Sequence, residues 1–149
     1  MAGFDAHIYS NNNEIQKFDA NDILNSCLSF TEWSASETIM DVGTGDGTVL
    51  FDVLLPKIPP DFKKLVALDI NPDMLLLAES KSRQNEKIEF VCLDIATKNL
   101  PPRFHSDFDH IFSFYCLHWV ADQRYVLDDF SSLKKRIVVE ELSKICILC

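Results

Sequence analysis

The stretch from residue 41 to residue 47, Asp-Val-Gly-Thr-Gly-Asp-Gly, contains three of the chain's four glycines at alternate positions. An apolar and partly β-branched run precedes it, from Thr38 to Val42, and a helix-compatible apolar run follows it, from Thr48 to Leu55. A glycine-rich turn between a strand and a helix lets backbone N–H groups approach a ligand closely, because no side chain intervenes. This feature therefore predicts an α/β fold with a ligand site at the end of a strand.

The spacing of the glycines discriminates between classes of ligand. A dinucleotide fingerprint requires Gly-x-Gly-x-x-Gly, and its third glycine would fall at Thr48. The chain instead has acidic-x-Gly-x-Gly-x-Gly, which begins with Asp41. This pattern resembles motif I of class I methyltransferases, which bind S-adenosylmethionine. The resemblance implies that Gly43, Gly45 and Gly47 pass under the amino-acid end of that cofactor. It also implies that Asp41 faces the positive charge of the cofactor.

Two further acidic residues follow predicted strands. Residues 64–70 form an apolar run that contains Asp69, 22 positions beyond the last glycine of the motif. A carboxylate there suits a ribose, because it can accept hydrogen bonds from both vicinal hydroxyls, and Ile70 is assigned to the same site. Residues 87–95 form a third predicted strand. In the methyltransferase family, Asp94 would face the adenine amino group and Ile95 would lie against the ring.

Strand and helix patterns alternate along the chain, which predicts a parallel sheet with crossover helices. We therefore predict one Rossmann-like class I methyltransferase domain over residues 1–149, with a helical segment at about 11–31 and a cofactor-binding core at about 37–140. Asn71 is the expected N-cap of the helix that begins at Pro72. The remaining predicted elements are a fourth strand at 108–115, a helix at 121–134 and a short fifth strand at 136–140.

Residues 108–120, Phe-Asp-His-Ile-Phe-Ser-Phe-Tyr-Cys-Leu-His-Trp-Val, resemble the juvenile hormone acid methyltransferase family of arthropods. Tyr9 and residues 13–20 resemble the N-terminal helix of that family, and the likeness covers roughly residues 7–133. It implies transfer of a methyl group to the carboxylate of an apolar acid, such as juvenile hormone acid or farnesoic acid. It places Gln16, His118 and Trp119 around that carboxylate as neutral hydrogen-bond donors, and Tyr9 over the cofactor or the acceptor. No catalytic base is expected, because a carboxylate is already ionised at neutral pH.

Each of these acceptor residues also has an ordinary structural interpretation. Packing in the core would explain Trp119, a structural histidine would explain His118, and a surface position is the default for Gln16. At the acidic positions, a solvated or helix-capping carboxylate is the alternative.

Composition excludes several classes of function. The net charge is −9 and the only basic cluster is at residues 134–136, so no nucleic-acid surface is predicted. No apolar run is long enough for a membrane span and no secretory signal is present, which favours a cytoplasmic protein. Cys27, Cys92 and Cys116 lie in apolar stretches and are expected to be buried free thiols. The last four residues, Cys-Ile-Leu-Cys, match neither a zinc site nor a good prenylation signal, so an apolar tail without metal is predicted.

The sequence departs from the methyltransferase pattern after the fourth strand. Residues 133–137, Leu-Lys-Lys-Arg-Ile, replace the usual Pro- and Gly-containing turn, and the sheet is expected to end after about the fifth strand. An open edge there would invite a partner. Three hypotheses follow: a carboxyl methyltransferase, a non-catalytic cofactor-binding or regulatory module, and a nicotinamide oxidoreductase domain, which Thr48 disfavours.

Overall fold

A computed structural model describes residues 13–29, 31–98, 100–104, 108–126, 136–141 and 144–148. Six strands form one sheet in the order β3-β2-β1-β4-β5-β6. The first five are parallel to their neighbours, and β6 runs antiparallel to β5. The predicted α/β class is confirmed. The strands span Thr38–Val42 (β1), Lys64–Asp69 (β2), Ile88–Cys92 (β3), His110–Phe114 (β4), Arg136–Glu141 (β5) and Lys144–Leu148 (β6).

The third strand is shorter than predicted. β3 ends at Cys92, whereas the apolar pattern extends to Ile95. The chain turns at this point, because the Asp94 side chain accepts a hydrogen bond from the N–H of Ala96 at 2.9 Å and the Asp94 carbonyl accepts one from the N–H of Thr97. Asp94 therefore lies in a turn beyond the strand.

The sheet also extends one strand further than predicted. The segment expected to be an apolar tail forms β6, whose Leu148 pairs with Ile137 and whose Lys144 pairs with Glu141. Pairing satisfies backbone groups of β5 that an open edge would leave without partners. The sequence predicts an open sheet edge after β5, but the chain itself occupies that edge with β6.

Two longer helices flank the sheet. α1 spans Glu14–Leu28 and α2 spans Pro72–Lys81. The predicted cap of α2 is confirmed, because the Asn71 side chain accepts a hydrogen bond from the N–H of Asp73 at 2.9 Å. Helical structure after the glycines begins at Thr48 and continues as a π-helical turn, Leu50–Leu54, and a 3-10 turn, Leu55–Lys57. Of the helix predicted at 121–134, residues 123–126 are helical and residues 127–134 lie outside the described residues.

Apolar residues cover both faces of the sheet, as expected for parallel strands. Ile39 of β1 points into one core with residues of α1, and the adjacent Met40 points into the other core. Cys27 is buried, but Cys92 is exposed, because it ends the edge strand β3. None of the described helices combines the length and apolar character that a membrane crossing requires.

The strand order determines where a ligand can bind. β1 has β2 on one side and β4 on the other. The chain therefore adds β2 and β3 on one side of β1, and then crosses back to add β4 and β5 on the other side. In open α/β sheets such a reversal leaves a crevice at the carboxyl ends of the two central strands. Here those strands are β1 and β4.

Candidate functional site

The three glycines at the end of β1 have left-handed backbone conformations, with φ values of +76°, +58° and +78° at Gly43, Gly45 and Gly47. A side chain at Gly43 would overlap Cys116, and one at Gly47 would contact Phe51 and Ala78. A Cβ atom at Gly45 would meet only the Met74 Cε, at 3.4 Å. Gly43 and Gly47 are therefore required for packing, while half-buried Gly45 has room for a Cβ atom.

A cleft lies beside this loop at the carboxyl ends of β1 and β4, and we call it the β1–β4 cleft. Its walls come from α1, from the glycine loop with the start of the following helix, and from the end of β4. The lining residues are Asn13, Gln16, Asp41, Gly43, Thr44, Gly45, Asp46, Val49, Phe114 and Tyr115.

Asp41 is a buried acidic residue of the cleft. The residue is only 3% exposed. Burial raises the pKa of Asp41 to about 7, and the neighbouring Asp69 carboxylate also acts to raise it. A carboxyl group with this pKa is close to half protonated at neutral pH. A cation bound beside it would favour the ionised form.

The carboxylate of Asp69 is oriented by backbone groups. Oδ2 accepts a hydrogen bond from the N–H of Gly45 at 2.8 Å, and Oδ1 accepts one from the N–H of Asn71 at 2.8 Å. Burial raises the pKa of Asp69, although these hydrogen bonds oppose the increase. A carboxylate has about four acceptor positions, and these backbone donors do not fill all of them, so Asp69 can still accept from ribose hydroxyls.

The other residues predicted to bind the cofactor differ in accessibility. Asp94 is exposed, whereas Ile95 is buried in the core on one face of the sheet. Ile70 is 63% exposed. Ile95 therefore has little surface for an adenine ring, because it packs with the sheet, and Ile70 has free apolar surface at the end of β2.

The predicted acceptor residues occupy different places. Gln16 lines the β1–β4 cleft, and its buried Oε1 has no hydrogen-bond partner among the described residues. His118 and Trp119 follow β4 in a 3-10 turn, with ring centroids 4.9 Å apart, and are not among the residues that line the cleft. Within the part of the chain that the structure describes, the buried Nδ1 of His118 has no hydrogen-bond partner. Trp119 is 83% exposed, so core packing does not explain its position. Tyr9 lies outside the described residues.

Sequence reasoning missed a polar network behind the glycine loop. Asp46 accepts hydrogen bonds from the Asn13 Nδ2 at 3.2 Å, the Thr48 Oγ1 at 2.8 Å and the Lys81 Nζ at 2.7 Å. An aspartate between two glycines is typical of an exposed turn, yet its side chain here is only 4% exposed. No signal in the sequence connects Lys81 with a residue 35 positions earlier.

Tyr115 was also missed as part of this site. It directly follows β4, has a φ of +52°, and its hydroxyl contacts the carboxylate of Asp19 on α1. This contact and the bond from Asn13 to Asp46 both connect α1 with the cleft wall. Gln16 lies between the two connections along the helix.

The residues of the Phe-Asp-His run stabilise the opposite end of the sheet. The Asp109 Oδ2 accepts hydrogen bonds from the N–H and the Oγ1 of Thr38, at 2.8 and 2.9 Å. His110 pairs through Nε2 with the buried Glu37 at 2.7 Å. Because these contacts lie at the amino ends of β1 and β4, they position the strands and do not belong to the cleft.

Comparison with known families identifies this arrangement. Residues 40–136, which include the glycine loop, most of β1 and all of β2 to β4, match the model of a methyltransferase domain. The chain belongs to this methyltransferase family. Membership decides against the nicotinamide oxidoreductase hypothesis, in agreement with Thr48 at the third glycine position of the dinucleotide fingerprint.

Two relatives of this chain have a more specific name. The chain is 36% identical to a juvenile hormone acid O-methyltransferase of Drosophila melanogaster over 132 residues, which are 87% of the chain and 44% of the relative. It is 34% identical to the Bombyx mori protein of the same name over 119 residues, 79% of the chain and 42% of the relative. The chain thus spans less than half the length of these relatives.

A solved structure confirms the fold independently of close sequence similarity. A SAM-dependent methyltransferase from Aquifex aeolicus superposes with a TM-score of 0.68, covering 95% of this chain and 78% of that one, at 20% identity. At this identity, the likeness supports the methyltransferase architecture alone.

Proposed function

We propose that this chain binds S-adenosylmethionine and serves in O-methylation of the carboxylate of an apolar acid, such as juvenile hormone acid or farnesoic acid. The observation that carries the proposal is the grouping of Asp41, the cleft-lining backbone of Gly45 and the oriented carboxylate of Asp69 at the carboxyl ends of β1 and β2, beside the switch point of the sheet. The names of the two insect relatives support the choice of acceptor.

The residues of the cleft fit the chemical groups of this cofactor. Asp41 would balance its positive charge, Gly45 would admit its amino-acid end, and Asp69 would accept hydrogen bonds from both ribose hydroxyls. The exposed side chain of Ile70 offers apolar surface beside that ribose site. When bound, S-adenosylmethionine supplies an electrophilic methyl group.

The chain's task is to orient the acceptor and to exclude water. An acceptor carboxylate is ionised at neutral pH, so no residue has to remove a proton. Gln16 lines the cleft and can contact the acceptor from α1, while His118 and Trp119 can donate hydrogen bonds from the segment after β4. Free thiols at Cys92 and Cys116 are compatible with a reducing compartment, and we propose the cytoplasm.

Binding of the cofactor is the first test. S-adenosylmethionine and its demethylated product are expected to raise the melting temperature, while NAD leaves it unchanged. At 100 times its dissociation constant, a ligand adds about 2.7 kcal/mol to the free energy of unfolding. Asp69→Ala should weaken binding by about 1.5–3 kcal/mol, because it removes charge-assisted hydrogen bonds. The control Asp73→Ala alters another carboxylate near the start of α2 and should bind normally. A folded protein that responds to neither sulfur compound would refute the cofactor assignment.

Transfer to an acid is the second test. Labelled methyl groups are expected to appear on farnesoic acid but not on farnesol, when the chain is joined to the remaining half of the Bombyx mori relative. The 149-residue chain alone should be far less active, because Trp119 is 83% exposed and an apolar acceptor needs an enclosed pocket to exclude water. Cofactor binding without transfer to the acid by either form would contradict the proposed acceptor. Equal activity of the two forms would show that the described cleft suffices.

A further inference from the structure

A buried carboxylate connects the glycine loop with both long helices. Asp46 lies between Gly45 and Gly47, and its Oδ2 receives the Lys81 Nζ at 2.7 Å and the Thr48 Oγ1 at 2.8 Å. Lys81 also donates to the Thr48 Oγ1 at 2.8 Å. The lysine, the threonine and the aspartate therefore form a closed triangle of hydrogen bonds.

We infer that Lys81, through its ion pair with Asp46, is a positioning residue that holds the glycine loop in the conformation that binds the cofactor. The inference rests on the proposed function. It is distinct from the cofactor contacts assigned above, because Lys81 lies on α2 and does not line the β1–β4 cleft.

One face of α2 lies against the loop over its whole length. A Cβ atom at Gly45 would lie 3.4 Å from the Met74 Cε, and one at Gly47 would lie 3.0 Å from the Ala78 Cβ. Met74, Ala78 and Lys81 are spaced by four and three residues, so they share this face. Met74 and Ala78 contribute apolar contact with the loop, and Lys81 adds a positive charge.

A short chain of contacts leads from Lys81 to the ribose site. Lys81 holds Asp46, and the preceding residue, Gly45, donates its N–H to the Asp69 Oδ2 at 2.8 Å. A change in the turn at Asp46 would shift Gly45, because its φ of +58° fixes the direction of that N–H. Asp69 would then lose one of the backbone donors that orient it.

Burial makes the conformation of the glycine loop depend on the ion pair between Lys81 and Asp46. A fully exposed pair of this kind contributes little, since water screens both charges. Here the Asp46 side chain is 4% exposed and that of Lys81 is 37% exposed, so removal of the ammonium leaves a buried carboxylate without its counter-ion. The loop can relieve this by turning Asp46 toward water, which would move the glycines beside it.

The test is calorimetric titration of S-adenosylmethionine into the full chain, at a temperature where each variant is folded. Lys81→Met keeps the length of the side chain and removes its charge, and it should weaken binding on the order of tenfold. Thr48→Val removes the hydroxyl that both charged groups contact and should weaken binding several-fold. The matched control is Lys63→Met, since Lys63 is an exposed lysine outside the network.

A double-mutant cycle separates positioning from a general loss of stability. If Lys81 acts through Asp46, adding Lys81→Met to Asp46→Asn should weaken binding much less than it does in the unmodified chain. Unchanged affinity in Lys81→Met overturns the inference, as does a lower melting temperature with normal binding by the folded protein. If Lys81→Met does not fold, unchanged affinity in Thr48→Val overturns it. Absence of binding by the unmodified chain overturns the proposed function and this inference together, whereas normal binding by all variants overturns only the inference.

Discussion

Replacement of Gly43 by alanine is expected to destabilise the protein by about 2–5 kcal/mol, the combined scale of left-handed backbone strain and overpacking. The φ of Gly43 is +76°, a conformation that disfavours any residue with a Cβ atom. The added methyl group would also overlap the Cys116 side chain, which lies against this turn. Urea denaturation followed by circular dichroism measures the loss.

Gly45 provides the matched control for this variant. Its φ is +58°, but an added Cβ atom would meet only the Met74 Cε at an ordinary distance. Gly45→Ala should therefore cost about 1–2 kcal/mol from backbone strain alone. Combining Gly43→Ala with Cys116→Gly should recover part of the larger loss. Equal losses for the two single variants would contradict the steric explanation.

The affinity for S-adenosylmethionine is expected to rise about tenfold per pH unit up to pH 7 and to level off above it. The reason is that the cation requires ionised Asp41, and burial raises the pKa of Asp41 to about 7 in the free protein. Between about pH 5 and pH 7 the change should approach a hundredfold. Calorimetry over this range, in buffers of different ionisation enthalpy, also measures the proton released on binding.

The stability of the free protein should change with pH in the direction opposite to the affinity for the cofactor. In the unfolded chain the pKa of Asp41 is near its ordinary value of 3.8, whereas burial in the folded protein raises the pKa to about 7. The folded state therefore binds more protons between these values, and the contribution of Asp41 to stability decreases as pH rises from about 4 to 7.

Asp41→Asn isolates both effects, because an amide does not titrate. The variant should lose the Asp41-dependent slope of affinity and of stability, and it should bind the cofactor more weakly than the unmodified chain at pH 8. A variant that keeps the full pH dependence of binding would show that another group, such as Asp69, is responsible.

Local patterns predicted the architecture well because they report burial and backbone conformation directly. Four apolar runs became β1 to β4, and the cap at Asn71 follows from its own neighbours in sequence. The end of β3 and the strand β6 were missed for a related reason. Where a strand stops, and whether an apolar segment pairs with a sheet edge, depends on hydrogen-bond partners that are distant in the chain.

The sequence by itself predicted the methyltransferase class, because the acidic-x-Gly-x-Gly-x-Gly spacing resembles motif I of that class and its glycines are a local constraint on the backbone. Only the tertiary structure decided which side chains are accessible. It buried Ile95 and exposed Ile70, brought Gln16 into the β1–β4 cleft, and placed Lys81 against Asp46. Burial and ion pairing between elements arise from packing, which aligns residues that no local pattern relates.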